Sequence, residues 1–367
     1  GITNLMMDTM FKGTKKRDAA QIAENLDDAG AVVSKEISKD YFGWGAEVVS
    51  GSMPAFFEVF SDIILNPSFE LGEIKKEKTD IINRLERIKD NPAAYVSKIF
   101  DEEFYEWHPY GFYYAGDEAS VKRIPSKKIK EWHSRYIRPN NLLISSAGNT
   151  GIDEVKDMAE KYFGKWVKGK TTKADLPVKI TKNRKTRHDV LKKNQTHILL
   201  GFLGPGAGSE DYFTMRVIDT ILSGGMDSRL FSEIREKRNL CYTIYSTFDR
   251  TIERGAIKVY TATPPDKAAE AAEEILNVLR DLRENGPSDK EIESAKQYLN
   301  GMYKIGMQDY AAQAGVYASY EMWGRGYREA DGFMEKIYAV TKEDIMLAMK
   351  KYFDVDRYCL VSAGPEK

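Results

Sequence analysis

Two stretches of the chain, SKKIKEWHSRYIRPNNLLISSAG at 126–148 and TKEDIMLAMKKYFDVDRYCLVSAG at 341–364, follow one plan and decide the fold. Each begins with a helix-capping Ser or Thr, runs through a helix to an aromatic-containing turn, and closes with an apolar strand before Ser-Ala-Gly. The parallel continues upstream, where MMDTMFKG at 6–13 matches VIDTILSG at 217–224. These matches predict an internal duplication.

The predicted elements between these anchors have the same order in both halves. Alternating apolar residues predict strands and longer apolar periods predict helices. In the first half strands are predicted at 32–37 and 42–49 and helices at 53–65 and 70–90; in the second half strands are predicted at 242–247 and 255–263 and helices at 265–284 and 288–305. We therefore predict an α+β protein of two homologous domains, each a mostly antiparallel sheet with helices packed on one face.

The predicted domains cover residues 1–164 and 188–367, with a linker at 165–187. The linker is rich in Lys and Arg, and its Pro177 and lack of long periodicity favour a solvated connector. A nucleic-acid-binding arm is the alternative, which the near absence of aromatic residues disfavours. Residues 188–214, with a predicted strand at 197–203, precede the Val217 helix. The first half has almost nothing before its equivalent helix, so we expect its sheet to lack one or two leading strands that a longer chain would supply.

Composition excludes several classes of protein. The 367 residues are 42% hydrophobic and 30% charged, which suits folded domains rather than a disordered chain. The formal charge of -1 provides no global field for nucleic acid, and no apolar run is long enough to span a membrane. Two cysteines, Cys241 and Cys359, cannot form a disulfide scaffold. No targeting segment is visible at Gly1, so the compartment stays open.

Several short motifs together resemble one family. They are FKGT at 11–14, IKKEKTDIINRLERIKDNP at 74–92, HPYG at 108–111, YIRPNN at 136–141, SRLFSEIR at 228–235 and LCY at 240–242. This set, spread over nearly the whole chain, resembles the pitrilysin/insulinase-type (inverzincin) zinc peptidases, in the two-domain form of the mitochondrial processing peptidase subunits and their bacterial relatives. The resemblance is to the subunit that lacks the zinc motif.

The resemblance implies a zinc site that this chain has lost. In active members an inverted His-x-x-Glu-His motif on the opening helix supplies two zinc ligands and a general base, and a later glutamate completes the site. The matching positions here are Asn4, Met7 and Asp8, with Arg84 at the later ligand position and Glu77 two turns before it. An amide, a thioether and one carboxylate suit Zn²⁺ poorly, and a guanidinium repels a cation. We expect no zinc in this chain and no peptide hydrolysis by it alone.

The vacated site leaves three possibilities open. We expect Arg84 to pair with Asp8 or Glu77 and so replace the positive charge of the metal. Arg84 could instead point into solvent. An unusual metal held by Asn4, Asp8 and Glu77 is the third possibility.

The second half matches the family in a different pair, Arg235 and Tyr242. The resemblance implies that these residues hold the substrate backbone and stabilise the tetrahedral intermediate, since a cation and a phenol hydroxyl can be aimed at a developing oxyanion. The alternative is that Arg235 forms a salt bridge with Glu233 or Glu236 on a helix surface and that Tyr242 packs in the core.

These observations favour a non-catalytic subunit of a heteromeric zinc peptidase. A homologous partner would carry the intact motif and the zinc, an extended peptide would be the substrate, and this chain would contribute Arg235, Tyr242 and one wall of the chamber. The alternative is a peptidase-derived structural or peptide-binding protein with no enzymatic role, for example a homodimer.

Overall fold

The computed structural model describes residues 1–170, 176–178 and 184–366, so 171–175 and 179–183 of the predicted linker lie outside the described residues. Packing divides the chain into two compact units. The first contains Gly1–Arg87, Tyr113–Asp175 and Gln308–Ala318, and the second contains Ile88–Phe112, Leu176–Met307 and Ser319–Lys367. Residues 88–112 therefore pack with the second unit. The predicted domain bounds remain predictions.

The helices and strands of the described residues follow the predicted order closely. The α-helices are α1 (Ile2–Met10), α2 (Ala19–Asp28), α3 (Met53–Leu65), α4 (Leu71–Glu86), α5 (Pro92–Tyr105), α6 (Glu118–Arg123), α7 (Ser126–Tyr136), α8 (Ile152–Phe163), α9 (Tyr212–Ser223), α10 (Ala268–Asn285), α11 (Asp289–Gly306), α12 (Tyr310–Met322), α13 (Phe333–Ala339) and α14 (Lys342–Tyr352). The strands are β1 (Val32–Ile37), β2 (Phe42–Glu47), β3 (Lys185–Val190), β4 (Thr196–Leu203), β5 (Thr243–Phe248), β6 (Ala256–Thr263) and β7 (Cys359–Gly364). Within the described ranges, none of these helices has the length and apolar character needed to cross a membrane.

The first unit packs helices around the opening helix α1. Leu5, Met6, Met7 and Met10 of α1 are fully buried, and the helix lies against α4 and α7. The only sheet among the described residues of this unit is the antiparallel pair β1–β2, in which Lys35 lies opposite Trp44. The polar face of α1 therefore lies between α4 and a short sheet.

The apolar run at 142–147, which we predicted as a strand, is not one. Its counterpart β7 in the second half pairs with β3 on one side and β4 on the other. The described part of the first unit contains no equivalent of β3 or β4, so the run has no strand to pair with. Leu142, Leu143 and Ile144 are consequently 42%, 44% and 41% exposed. Whether a longer chain supplies the leading strands stays a prediction.

The second unit is built on a five-stranded sheet with the order β3-β7-β4-β6-β5. Only the β3–β7 pair is parallel, which confirms a mostly antiparallel sheet. Helices α9 and α10 cover one face. The other face packs against α5, where a Cβ atom at Gly201 would lie 2.4 Å from the ring of Phe100. Strand β3 begins at Lys185, inside the predicted linker.

Candidate functional site

The degenerate zinc-site positions lie on neighbouring helices of the first unit. Asn4 and Asp8 are one helical turn apart on α1 and share a face, while Arg84 lies in the last turn of α4. Arg84 Nη2 donates to Asp8 Oδ2 at 3.0 Å, which confirms the predicted pairing with Asp8. The Arg84 side chain is 55% exposed but is not directed only at solvent.

A residue that the sequence did not indicate, Lys35 of β1, completes this cluster. Its Nζ donates to Asn4 Oδ1 at 2.7 Å and also donates to Asp8 Oδ1. Asp8 therefore contacts two cations, one on each carboxylate oxygen. No spacing motif links a strand lysine to the opening helix, so only the tertiary fold brings them together.

The remaining two positions do not join the cluster. Glu77, which is 7% exposed, forms a salt bridge of 3.1 Å with Lys12 rather than with Arg84. Met7 is fully buried in the core of the first unit. A buried thioether cannot accept a proton from water, so this position offers no general base.

The donors present at this site do not fit a zinc ion. The oxygens of Asn4 and Asp8 already accept from an ammonium, and Glu77 is paired with Lys12. The described residues include no group of three or more His, Cys, Asp and Glu arranged to hold a metal. An unusual metal at Asn4, Asp8 and Glu77 is disfavoured because Asn4 and Asp8 accept from Lys35 and Glu77 pairs with Lys12. That this chain carries no zinc nevertheless remains a prediction for direct metal analysis.

The second unit places Arg235 and Tyr242 side by side. Arg235 lies on a π-helix, Phe231–Lys237, a rare form that is frequent at functional sites. Its guanidinium carbon lies 4.6 Å from the ring centroid of Phe231 and 4.5 Å from that of Tyr242. Contacts with two rings restrain the guanidinium, and a guanidinium over an aromatic face keeps its in-plane N–H groups available. We call these three residues the aromatic sandwich.

The alternative interpretation of this pair is wrong. Tyr242 is 76% exposed and does not pack in the core. Glu233 is bonded to Lys237 and Arg238. In the described part of the chain, no hydrogen bond or ion pair joins Arg235 to a carboxylate. Arg235 thus keeps its hydrogen-bond donors available although acids lie nearby in sequence.

Two local features hold the aromatic sandwich in place. Asn239 has a φ of 50°, a left-handed conformation that Asn tolerates, and it turns the chain from the π-helix towards Tyr242. Upstream, Arg229 donates to Glu291 Oε2 at 3.1 Å and to Asp281 Oδ2 at 2.7 Å. The segment that enters the π-helix is therefore anchored to α10 and to the beginning of α11.

The cysteines and histidines make no catalytic pair. Both cysteines are buried, and burial raises the pKa of the Cys241 thiol, which disfavours a nucleophilic thiolate. The histidines form separate hydrogen bonds within their own units. Those bonds join His108 to the carbonyl of Leu176, His133 to that of Ile64, His188 to the hydroxyl of Ser362 and His197 to that of Tyr260.

Comparison with known families agrees with this geometry. The family model described as insulinase (peptidase family M16) matches residues 1–117, and the model described as peptidase M16 inactive domain matches residues 123–299. The chain belongs to the peptidase M16 family. The resemblance drawn from the sequence motifs is confirmed.

Relatives in the M16 family match over the whole chain. The chain is 27% identical to the Bacillus subtilis protein called uncharacterized zinc protease YmxG, covering 100% of this chain and 88% of the relative. It is 26% identical to an uncharacterized zinc protease of Mycobacterium tuberculosis, covering 100% of this chain and 84% of that protein.

Solved structures agree on the fold. A peptidase M16 inactive domain from Pseudomonas fluorescens superposes with a TM-score of 0.92 at 24% identity, covering 100% of this chain and 88% of that one. A protease from Helicobacter pylori gives 0.91 at 19% identity, covering 99% and 89%. The α+β fold of the M16 family is therefore shown for this chain.

Proposed function

We propose that this chain is the non-catalytic subunit of a heteromeric zinc metallopeptidase. A homologous partner would carry the intact His-x-x-Glu-His motif and the zinc. This chain would supply Arg235, Tyr242 and one wall of the chamber that receives an extended peptide. The observation that carries the proposal is the aromatic sandwich, in which Arg235 is stacked on two rings without a carboxylate partner.

The chemistry of the pair suits a peptide carbonyl. A guanidinium has five N–H donors in a planar fork, and a phenol hydroxyl adds one more. Donors held in place before the reaction stabilise the negative charge that develops on a carbonyl oxygen. Stacking on Phe231 and Tyr242 orients Arg235 without consuming those donors. The pair is equipped to bind and polarise a carbonyl, while the motif's general-base position in the first unit holds the buried Met7.

The first unit also agrees with a chain that binds substrate while its partner activates water. Asp8 is occupied by two cations, and Met7 is buried where a general base would be required. The bacterial relatives named as zinc proteases place the chain in a peptidase context. Loss of the water-activating site together with an available oxyanion-binding pair is what a contributing subunit requires.

Reconstitution tests the proposal. The tagged chain is co-expressed with an M16 homologue from the same source that carries His-x-x-Glu-His, and hydrolysis of unstructured fluorogenic peptides is measured for each chain alone and for the pair. We expect no activity from this chain alone, activity from the pair, and one zinc per heterodimer. We also expect Tyr242→Phe to lower kcat/KM of the pair by roughly tenfold or more, because one oxyanion donor is lost.

Two outcomes would contradict the proposal. Chelator-sensitive hydrolysis by this chain alone would show that it carries its own catalytic site. Full activity of the pair with Tyr242→Phe and Arg235→Ala combined would show that the partner does not use this site. A metal-free homodimer that binds peptide without hydrolysis would support the structural or peptide-binding alternative instead.

A further inference from the structure

The cluster around Asp8 resembles a metal site in its geometry, although its donors do not suit a metal. Asn4 and Asp8 occupy the two histidine positions of the inverted motif, and both side chains accept a hydrogen bond from the same atom, Lys35 Nζ. We propose that the Lys35 ammonium takes the place of the zinc ion in this subunit. The proposal rests on membership of the M16 family and not on the existence of a partner.

The position of the ammonium follows from the helix geometry. Residues 4 and 8 project from one face of α1, so an atom bound by both lies where a shared metal ion would be held. Lys35 Nζ is that atom, with Asn4 Oδ1 at 2.7 Å. Asn4 is 2% exposed, and the side chains of Asp8 and Lys35 are 14% and 28% exposed. The ammonium is therefore held inside the cluster rather than at its solvent edge.

The local charge agrees with a replacement. A zinc ion with two neutral imidazoles and one carboxylate carries one net positive charge. Here Lys35 and Arg84 contribute two positive charges, Asp8 contributes one negative charge and Asn4 none, which also leaves one positive charge when the general-base position, the neutral Met7 here, is left out of both counts. Lys35 and Arg84 thus supply the positive charge that the metal ion would have supplied, and this charge lies beside α1.

A consequence is that restoring the metal ligands alone does not restore tight zinc binding. Lys35 is a fifth position, outside the family motif, that opposes a cation in this site. At a separation of a few ångströms, two positive charges repel each other even at an intermediate effective dielectric constant. The four-carbon side chain of Lys35 lets its ammonium move aside, which reduces that repulsion without removing it.

Zinc titration of this chain alone tests the proposal. The first variant carries Asn4→His, Asp8→His and Arg84→Glu, and the second carries these changes with Lys35→Thr. We expect the second to bind one Zn²⁺ at least about tenfold more tightly than the first, because the competing charge is gone. A third variant combines the three ligands with Lys75→Thr, which removes an exposed lysine of α4, and should match the first. Equal affinity in all three variants, or no zinc in any, would overturn the proposal.

A measurement on the unaltered fold accompanies the titration, since the ligand substitutions could prevent folding. Lys35 is acylated by an amine-reactive reagent and followed by mass spectrometry, with Lys75 as the internal reference. We expect Lys35 to react several-fold more slowly than Lys75, and Asp8→Asn to raise the Lys35 rate selectively. If Lys35 reacted as fast as Lys75 in the unaltered chain, its ammonium would not be held in the site and the proposal would fail. Neither measurement requires the partner, so a negative result here is distinct from failure of the proposed function.

Discussion

The arginines of the two candidate sites have opposite environments. In the first unit Arg84 and Lys35 are both satisfied by the same carboxylate, Asp8. In the second unit Arg235 lies between two aromatic rings and, among the described residues, forms no ion pair. A closed ion cluster stabilises the fold and offers nothing to a ligand, whereas a stacked guanidinium keeps its donors for one. The first arrangement is expected of a lost site and the second of a retained one.

The difference is not forced by a lack of acids near Arg235. Glu233 lies two residues away on the same π-helix but is bonded to Lys237 and to Arg238, which also reaches Glu274. Lys237 and Arg238 thus occupy the Glu233 carboxylate, which could otherwise have formed an ion pair with Arg235. This comparison predicts that substitutions at Arg235 mainly lower activity and have little effect on the free energy of unfolding. Substitutions at Asp8 should lower the free energy of unfolding and leave activity unchanged.

The largest expected effect is on Arg235 in the reconstituted peptidase. Arg235→Ala removes donors aimed at the developing oxyanion and should lower kcat/KM of the mixed complex by about 10²–10³ fold. The free energy of unfolding of the chain should fall by only about 1 kcal/mol, because two partly exposed cation–π contacts are lost but no ion pair is. Arg357→Ala is the control, since it breaks an exposed salt bridge of the same unit, with Asp354, outside the π-helix and should leave kcat/KM near its original value. Similar kinetic losses in both variants would remove the distinction between them.

Asp8→Asn tests the other side of the comparison. The change leaves Lys35 and Arg84 without a counter-charge, so chemical denaturation should show a loss of about 1–2 kcal/mol in the free energy of unfolding. The reconstituted peptidase should keep its activity at a temperature where the variant is folded. Glu24→Gln, at an exposed acid of α2, serves as the control and should be neutral. An Asp8→Asn chain that was fully stable but inactive in the pair would reverse the assignment of the two sites.

The segment that enters the π-helix carries an ion pair between Arg229 and Glu291. This pair should make the free energy of unfolding depend on pH. Burial alone would raise the pKa of Glu291, but the hydrogen bonds from Arg229 and Ser288 outweigh it and lower the pKa from 4.5 to about 2. A lowered pKa in the folded state stabilises the protein above pH 4.5, and this contribution is lost as the pH falls towards 2. Allowing for solvent screening, the loss is about 1–2 kcal/mol.

Denaturation measured across that pH range isolates the contribution. Glu291→Gln should abolish this part of the pH dependence, and the wild type and variant should converge in stability near pH 2. Glu293→Gln, at the next acid of α11, is the comparison and should retain the wild-type slope. A wild-type slope in Glu291→Gln would show that other carboxylates account for the acid sensitivity.

Much of the fold was predictable from the sequence because it depends on local patterns. The helix at 53–65 and the strand at 32–37 have the predicted bounds. The strand predicted at 142–147 is not formed, because a strand must pair with neighbouring strands. The apolar residues of the run do not indicate whether such neighbours exist. Local pattern therefore determines an element's type, and tertiary context determines whether a strand is paired.

The candidate sites divide in the same way. Arg84 and Asp8 could be linked through the family motif, and Phe231 stands four residues before Arg235, a spacing that places side chains on one helix face. Lys35 has no such link, because it reaches α1 from a strand whose position is set by packing alone. The residue missed from the sequence, Lys35, is the one that contacts both Asn4 and Asp8, the two predicted ligand positions.

The smallest expected effect concerns Phe231, which forms one face of the aromatic sandwich. Phe231→Leu keeps an apolar side chain but removes the ring quadrupole, at a cost of about 0.5–1 kcal/mol for a partly exposed cation–π contact. Arg235 would keep its charge and its contact with Tyr242 but would sample more orientations. We therefore expect kcat/KM of the reconstituted peptidase to fall by roughly two- to fivefold, with Phe231→Tyr restoring it. If Phe231→Leu left kcat/KM unchanged, stacking on Phe231 would not orient Arg235. The lack of an acid partner for Arg235 would then be the only feature that separates the second site from the first.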